Sequence, residues 1–154
     1  MVPLMLVLSL GLGSLQRPAD VVKWSVVPVT PTVEAGGTLQ ISLTAKIQNG
    51  WKLYAITQPE RGPKPLTIAL AAGAPFTISM KQIVAPQPKT MKDENFDLET
   101  RYYEGEATFR VPVTVARTAS GHTNVPLEVT FQACGNGVCL RPFTEKISAP
   151  VLVR

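Results

Sequence analysis

The two cysteines of the chain, Cys134 and Cys139, are the residues whose type and spacing most clearly predict chemistry. Four residues separate them, and two of these are glycines, Gly135 and Gly137. Glycine adopts positive φ without steric cost and Asn136 also tolerates the left-handed region, so the chain can reverse tightly here. The segment therefore predicts a turn that can bring the two thiols together.

The residues before the cysteines predict a strand at 125–131. Its odd positions are apolar and most of its even positions are polar, a pattern typical of a strand with one buried face. If the strand continues, Cys134 falls on the polar parity. We therefore expect Cys134 to face solvent at a strand end, within reach of a partner, because structural cysteines lie more often on the core side.

A bond between the two cysteines can serve stability or redox exchange. The chain-entropy model assigns about 2 kcal/mol to so short a ring and about 4.7 kcal/mol to a ring near 100 residues. A bridge that served stability alone would therefore gain more by joining distant strands. A redox-active pair suits the close spacing, since attack and resolution must occur at one place. The residues alone leave both readings open.

Metal binding is the third use that two cysteines allow. A structural zinc site needs about four ligands, and the chain offers two cysteines and one histidine. His122 lies in a predicted polar turn and is expected to be a plain surface residue. The sequence also has no glycine-rich phosphate loop, HExxH motif or serine nucleophile elbow, so it indicates no other class of enzyme.

The composition favours one folded, exported domain. Of 154 residues, 45% are hydrophobic and 17% are charged, which excludes global disorder. The net charge of +4 comes from scattered lysines and arginines, so nucleic-acid binding is not expected. Residues 1–15 are uncharged and mostly apolar, which predicts a signal peptide or an N-terminal apolar leader, with an uncleaved anchor as the alternative. The folded domain is then expected at 20–154, in a compartment where disulfides persist.

Short apolar or alternating runs predict seven or more strands, at roughly 10-residue spacing. These runs lie at residues 21–30, 38–48, 51–54, 66–70, 76–83, 100–103, 107–115, 125–131 and 143–153. Residues 85–98 hold two prolines and five charged side chains and predict a long exposed loop, and residues 120–122 predict a turn. No segment indicates an amphipathic helix. The predicted fold is all-β, an immunoglobulin-like antiparallel β-sandwich.

Several segments together resemble one known family. FQAC at 131–134 with VCLRP at 138–142 resembles the active-site segment of the N-terminal periplasmic domain of the thiol:disulfide interchange protein DsbD. GWKLY at 50–54 and QPE at 58–60 resemble that family's early glycine-aromatic strand and loop. ENF at 94–96, YEG at 103–105 and FRVPV at 109–113 resemble its cap loop and the strand after it. The similarity extends over about residues 22–153.

The resemblance implies an immunoglobulin-like fold and a reversible disulfide between Cys134 and Cys139. In the family the later cysteine forms the mixed disulfide, a role that falls on Cys139, with Cys134 resolving. The pair itself carries the two electrons, so no cofactor is implied. We therefore expect a thiol-disulfide oxidoreductase of the protein-disulfide reductase type, or an electron-relay domain of one.

The resemblance also implies which side chains line the site. Phe96, with Glu94 beside it, would belong to a cap loop that shields the disulfide until a partner docks. Tyr54 and Trp51 would lie near the cysteines, although ordinary packing is the alternative for both.

The implied partners are periplasmic. A thioredoxin-like donor would reduce the pair, and periplasmic thiol-disulfide proteins would receive the electrons, for example in cytochrome c maturation. The sequence carries no multi-helix membrane domain and no C-terminal thioredoxin domain. We therefore expect the electrons to come from a separate protein, and a separately encoded membrane electron transporter is a further expected partner. We expect a monomer. The alternative is an exported binding or adhesion module with a purely structural Cys134–Cys139 disulfide.

Overall fold

A computed structural model describes residues 15–154. The predicted leader at 1–15 therefore lies, except for Leu15, outside the described residues. The described part contains a four-residue helix α1 (Pro18–Val21), a single 3-10 turn (Met80–Gln82) and thirteen strands. The strands are β1 (Val22–Pro28), β2 (Thr32–Val33), β3 (Thr38–Ile47), β4 (Trp51–Tyr54), β5 (Thr67–Leu70), β6 (Phe76–Thr77), β7 (Lys89–Asp93), β8 (Leu98–Tyr103), β9 (Glu106–Val115), β10 (Gly121–Phe131), β11 (Ala133–Gly135), β12 (Val138–Cys139) and β13 (Phe143–Val153).

Two four-stranded sheets form the sandwich, and each buries one face in a shared core. Their strand orders are β1-β3-β9-β6 and β2-β13-β10-β5. Strand β3 shows the reason most clearly, since its odd positions from Leu39 to Ile47 are all buried while Gln40 and Lys46 are exposed. Strand β9 alternates in the same way, and it pairs with β3 over nine residues. All-β, immunoglobulin-like architecture is thus confirmed, and the pairings are antiparallel apart from that of β13 with β2.

A third sheet carries both cysteines. Its strand order is β12-β11-β4-β8-β7, so the cysteine hairpin forms one edge and the segment before the predicted cap loop forms the other. The core face of this sheet is apolar, with Leu53, Ala133 and Tyr103 buried side by side. The opposite face is therefore the one on which the functional side chains collect.

The structure corrects three boundaries. Residues 85–98 are not one long loop, because Lys89–Asp93 form β7 and pair with β8. Residues 76–83 form a strand only at Phe76–Thr77, and the rest bends into the 3-10 turn. Residues 120–122 were predicted as a turn, but Gly121 and His122 already pair with β13 as the start of β10. No helix within residues 15–154 is long and apolar enough to cross a membrane.

Candidate functional site

The two cysteines lie opposite each other in a two-residue hairpin. Strands β11 and β12 pair antiparallel, with Cys134 facing Cys139 and Gly135 facing Val138. The turn residues Asn136 and Gly137 have φ values of 51° and 74°. Positive φ at both central positions is the type I′ arrangement, whose twist matches that of paired strands and which Asn-Gly adopts most readily. Local sequence alone therefore sets the register that places the thiols together, as the glycines predicted.

Cys134 and Cys139 form a disulfide, with their Cα atoms 4.1 Å apart. Cys134 is only 5% exposed, whereas Cys139 is half-buried. The expectation that Cys134 faces solvent was wrong. Ala133 keeps the core-facing parity of β10, so Cys134 does lie on the opposite face of the third sheet. That face is covered as well, since Tyr54 on the same face is fully buried. Cys139, on the edge strand, is the more exposed of the two cysteines.

Trp51 fixes the hairpin from the core side. It faces Gly135 across β4 and β11, and an added Cβ on Gly135 would lie 2.7 Å from both the Trp51 ring and the Gly50 carbonyl oxygen. Only glycine leaves room for this contact. Because side chains alternate along a strand, Trp51 and the sulfur of Cys134 lie on opposite faces of the sheet. Trp51 therefore lies beside the cysteine site as a packing residue that does not face the sulfurs.

Gln132 joins the hairpin to the proline-rich loop before β5. Its side-chain carbonyl accepts a hydrogen bond from the Lys64 amide at 2.8 Å, and its amide group donates one to the Leu140 carbonyl at 3.1 Å. The Leu140 amide in turn bonds the Ala133 carbonyl at 3.0 Å. These contacts hold both ends of the hairpin, so the position of the disulfide depends on a side chain that the sequence did not single out.

Tyr54 brings its hydroxyl close to the sulfur of Cys139. Its hydroxyl lies 4.0 Å from Cys139 Sγ and donates a 2.5 Å hydrogen bond to Asp93. Tyr54 is fully buried. Burial, together with the bond to Asp93, raises the pKa of Tyr54 well above its ordinary value. The hydroxyl is thus neutral at physiological pH and fixed in direction beside the sulfur.

Asp93 is a residue of the candidate site that sequence reasoning missed. The sequence places it among the five charged residues of a predicted exposed loop, yet it is 2% exposed. Besides Tyr54, it accepts hydrogen bonds from the Thr100 hydroxyl at 3.2 Å and from the Asn95 backbone and side-chain N–H groups at 3.0 and 3.2 Å. Four donors compensate for removing a carboxyl group from water. Its place at the end of β7, two residues before an Asn, is the signal for such an Asx turn.

Phe96 lies in the turn between β7 and β8 and packs on Tyr54. The two ring centres are 5.9 Å apart and nearly perpendicular, an edge-to-face contact. Phe96 is half-buried, and the turn that holds it is fixed through Asn95 and Asp93. Glu94 is exposed, and no hydrogen bond or ion pair connects it to the rest of residues 15–154. The predicted cap-loop aromatic is therefore brought to the site, whereas the neighbouring glutamate points away from these contacts.

Charged side chains lie beside the site on the same sheet. Lys52 faces Cys134 in the strand register, and its ammonium lies 3.8 Å from Glu104 and 5.5 Å from the centre of the Tyr102 ring. Glu104 also accepts a 3.0 Å hydrogen bond from Lys89, which raises the pKa of Lys89. These groups are partly exposed, so solvent weakens their interaction.

The sulfurs are not part of a wider ligand cluster in the described structure. No group of three or more His, Cys, Asp or Glu residues within 15–154 could hold a metal ion. His122 is exposed at the start of β10, which belongs to a different sheet from the cysteines. The arrangement offers one disulfide that can accept two electrons, with a fixed hydroxyl next to its more accessible sulfur.

The comparison with protein families agrees with the geometry. The family described as thiol:disulfide interchange protein DsbD, N-terminal, matches residues 20–150. Because this match takes in most of the sequence, the chain belongs to that family, and the resemblance carried by its motifs is confirmed. A search of curated proteins found no match.

Two solved structures are similar in fold. The reduced DsbD N-terminal domain of Neisseria meningitidis has 18% sequence identity and a TM-score of 0.56, over 87% of this chain and 88% of that one. The N-terminal periplasmic domain of ScsB from Proteus mirabilis has 19% identity and a TM-score of 0.56, over 89% of this chain. The match covers 49% of the ScsB chain. Both likenesses support the β-sandwich fold.

Proposed function

We propose that this protein exchanges disulfides with other proteins through Cys134 and Cys139, and that it relays electrons in the periplasm. The observation that carries the proposal is the place of the disulfide. It closes a hairpin whose turn already sets the register, so it joins no distant parts of the fold, and its more accessible sulfur lies on the last strand of the sheet. A bond placed there contributes little to stability and is open to exchange.

The exchange proceeds through one mixed disulfide. A thiolate of a reduced dithiol protein attacks Cys139 Sγ, the Cys134–Cys139 bond breaks, and Cys134 leaves as a thiolate that takes up a proton. The donor's second thiolate then attacks its own sulfur in the mixed disulfide and releases Cys139, which is protonated in turn. Two electrons and two protons reach this chain, and the donor becomes a disulfide. Transfer to an oxidised acceptor is the same sequence in reverse.

Tyr54 has a positioning role in this scheme. Its hydroxyl proton forms the hydrogen bond to Asp93, so its oxygen can accept a hydrogen bond from the thiol of reduced Cys139. Phe96 contacts Tyr54 and belongs to a short turn, so a partner can displace it while the sheet stays intact. Glu94 lies on the solvent side of the same turn, where a docking partner would meet it first.

The periplasm and a thioredoxin-like donor are the cell compartment and the partner class that fit this chemistry. A disulfide persists in an oxidising compartment, and a dedicated donor is needed there to reduce it. The solved ScsB domain is described as periplasmic, which supports the compartment. A membrane electron transporter would supply the donor with electrons.

The test is to trap the mixed disulfide. The oxidised protein is mixed with a reduced thioredoxin-like protein whose resolving cysteine is replaced by alanine, and the complex is digested and analysed by mass spectrometry. We expect the partner's sulfur on Cys139, and no complex with a partner that lacks both cysteines. A link to Cys134 would reverse the assigned roles, and the absence of any complex would reject exchange.

A further inference from the structure

Within residues 15–154, strand β12 has no neighbouring strand on one side of its backbone. It is the last strand in the order β12-β11-β4-β8-β7, and it carries Cys139. An edge strand presents N–H and C=O groups on which another chain can pair. The more accessible redox sulfur and an unpaired strand edge are thus in the same two-residue element.

The hairpin register shows which backbone groups point outward. Gly135 and Val138 flank the two-residue turn, and the Leu140 amide bonds the Ala133 carbonyl. The hydrogen bonds between β11 and β12 therefore lie on either side of the cysteines, and Cys134 and Cys139 form a non-hydrogen-bonded pair. Their Cα atoms are 4.1 Å apart. The Cα atoms of non-hydrogen-bonded pairs are typically about 4.5 Å apart. It follows that the N–H and C=O of Cys139 point away from β11, toward the open edge.

The other edge of the same sheet is protected and this one is not. Strand β7 carries the exposed lysines Lys89 and Lys92, and charged side chains on an edge discourage pairing with another chain. Strand β12 carries no charge, and Val138 is 54% exposed. The difference between the two edges favours β12 as the edge that receives a partner.

We propose that β12 is a docking strand, on which a thiol partner lays an extended segment next to its reactive cysteine and pairs with the backbone of Cys139. This rests on the proposed function, because the occupant is the exchanging protein itself. Hydrogen-bonded residues of antiparallel strands have Cα atoms about 5.5 Å apart. Disulfide-linked residues usually have Cα atoms about 4.4–6.8 Å apart, so a partner cysteine opposite Cys139 would lie within that range. Pairing would therefore recognise main chain and geometry, and it would tolerate partners of different sequence.

The test attaches two peptides to the Cys134→Ala variant. One is a capped five-residue peptide of β-branched residues with a central cysteine. The other is the same peptide with the backbone nitrogen of that cysteine methylated, which removes the donor that would face the Cys139 carbonyl and puts a methyl group in its place. Each is attached to Cys139 as an activated disulfide, so attachment does not depend on exchange activity. Amide hydrogen exchange at Cys139 is then measured by NMR.

We expect the first peptide to slow exchange of the Cys139 amide by about tenfold relative to the N-methylated one, as one net hydrogen bond of about 1.4 kcal/mol would. The amides of Val138 and Leu140 already face β11 and should not change, which makes them internal controls. Equal exchange at Cys139 with both peptides would overturn the docking proposal. Failure of the proposed function would appear elsewhere, as a pair that no dithiol protein reduces.

Discussion

The hydroxyl of Tyr54 donates a 2.5 Å hydrogen bond to the carboxyl group of Asp93, although 39 positions separate the two residues. Both side chains are buried, and the same hydroxyl lies 4.0 Å from Cys139 Sγ. This contact connects the strand next to the cysteine hairpin with the strand that leads into the turn of Phe96. The site is thus assembled by one buried polar pair, together with the packing of the sheet.

Replacing Tyr54 by phenylalanine should cost about 1–3 kcal/mol of stability at pH 7, because Asp93 loses one of its donors in a buried place. The contribution of this hydroxyl should depend on pH. The pKa of Tyr54 is raised in the folded protein, so its stabilisation is fully present below the unfolded value, about 10, and is lost as pH rises beyond that value.

Urea unfolding of the oxidised wild type and of Tyr54→Phe tests this prediction. The difference in unfolding free energy should stay constant between pH 7 and pH 9 and shrink above about pH 10. Burial also raises the pKa of Tyr103, but that group is common to both proteins and its effect cancels in the difference. A difference that grew with alkaline pH would contradict the assigned hydrogen bond.

Phe96→Ala should expose the disulfide to small thiols. The ring packs edge-on against Tyr54 beside Cys139, so its removal should speed reduction by dithiothreitol severalfold while the unfolding midpoint moves little. Stopped-flow reduction kinetics measure this rate. Glu94→Ala is the matched control from the same turn, since its side chain is exposed, and its rate should equal that of the wild type. If dithiothreitol reduces Phe96→Ala and the wild type at the same rate, Phe96 does not shield the disulfide.

Gly135→Ala should disturb the hairpin through Trp51. The added Cβ would lie 2.7 Å from the ring and from a backbone oxygen, and such overpacking costs about 1–3 kcal/mol. Gly137→Ala is the comparison, because its Cβ would meet open space and only its φ of 74° opposes it, at about 1–2 kcal/mol. We expect a shifted tryptophan emission in Gly135→Ala alone. An unshifted spectrum would mean that Trp51 does not pack on this glycine.

Cys139→Ala should leave the protein folded. The ring that the disulfide closes is short, so its loss should lower stability by about 2 kcal/mol according to the loop model. Urea unfolding of the variant and of the oxidised wild type measures the difference. An unfolded variant would show that the disulfide holds the fold together and would favour a structural role.

Much of the fold could be predicted from alternation along single strands. Strand β13 has the predicted bounds, and β3 differs from the prediction by one residue. The apolar pattern of each of these strands can be read from its own residues. Strand β7 could not be predicted in this way. It lies at a sheet edge, four of its five residues remain at least partly exposed, and its partner β8 decides its conformation.

The cysteine hairpin could also be predicted, since Asn136 and Gly137 specify their own turn. Asp93 could not, because its burial depends on Tyr54 and Thr100, which only the folded sheet brings to it. Cys134 was misplaced for a related reason. The strand parity places it on the face opposite the core, yet that face is also covered, since Tyr54 on it is fully buried. Local patterns predict local geometry, and they fail where a second element decides burial.

The reduction potential of the Cys134–Cys139 pair tests the central claim most directly. The protein is equilibrated with glutathione or dithiothreitol mixtures, and its free thiols are trapped and counted. We expect a value between about −120 and −270 mV, the range of known exchange proteins. A value below about −300 mV would mark a disulfide that resists reduction, and the protein would then be a β-sandwich module with a structural bridge.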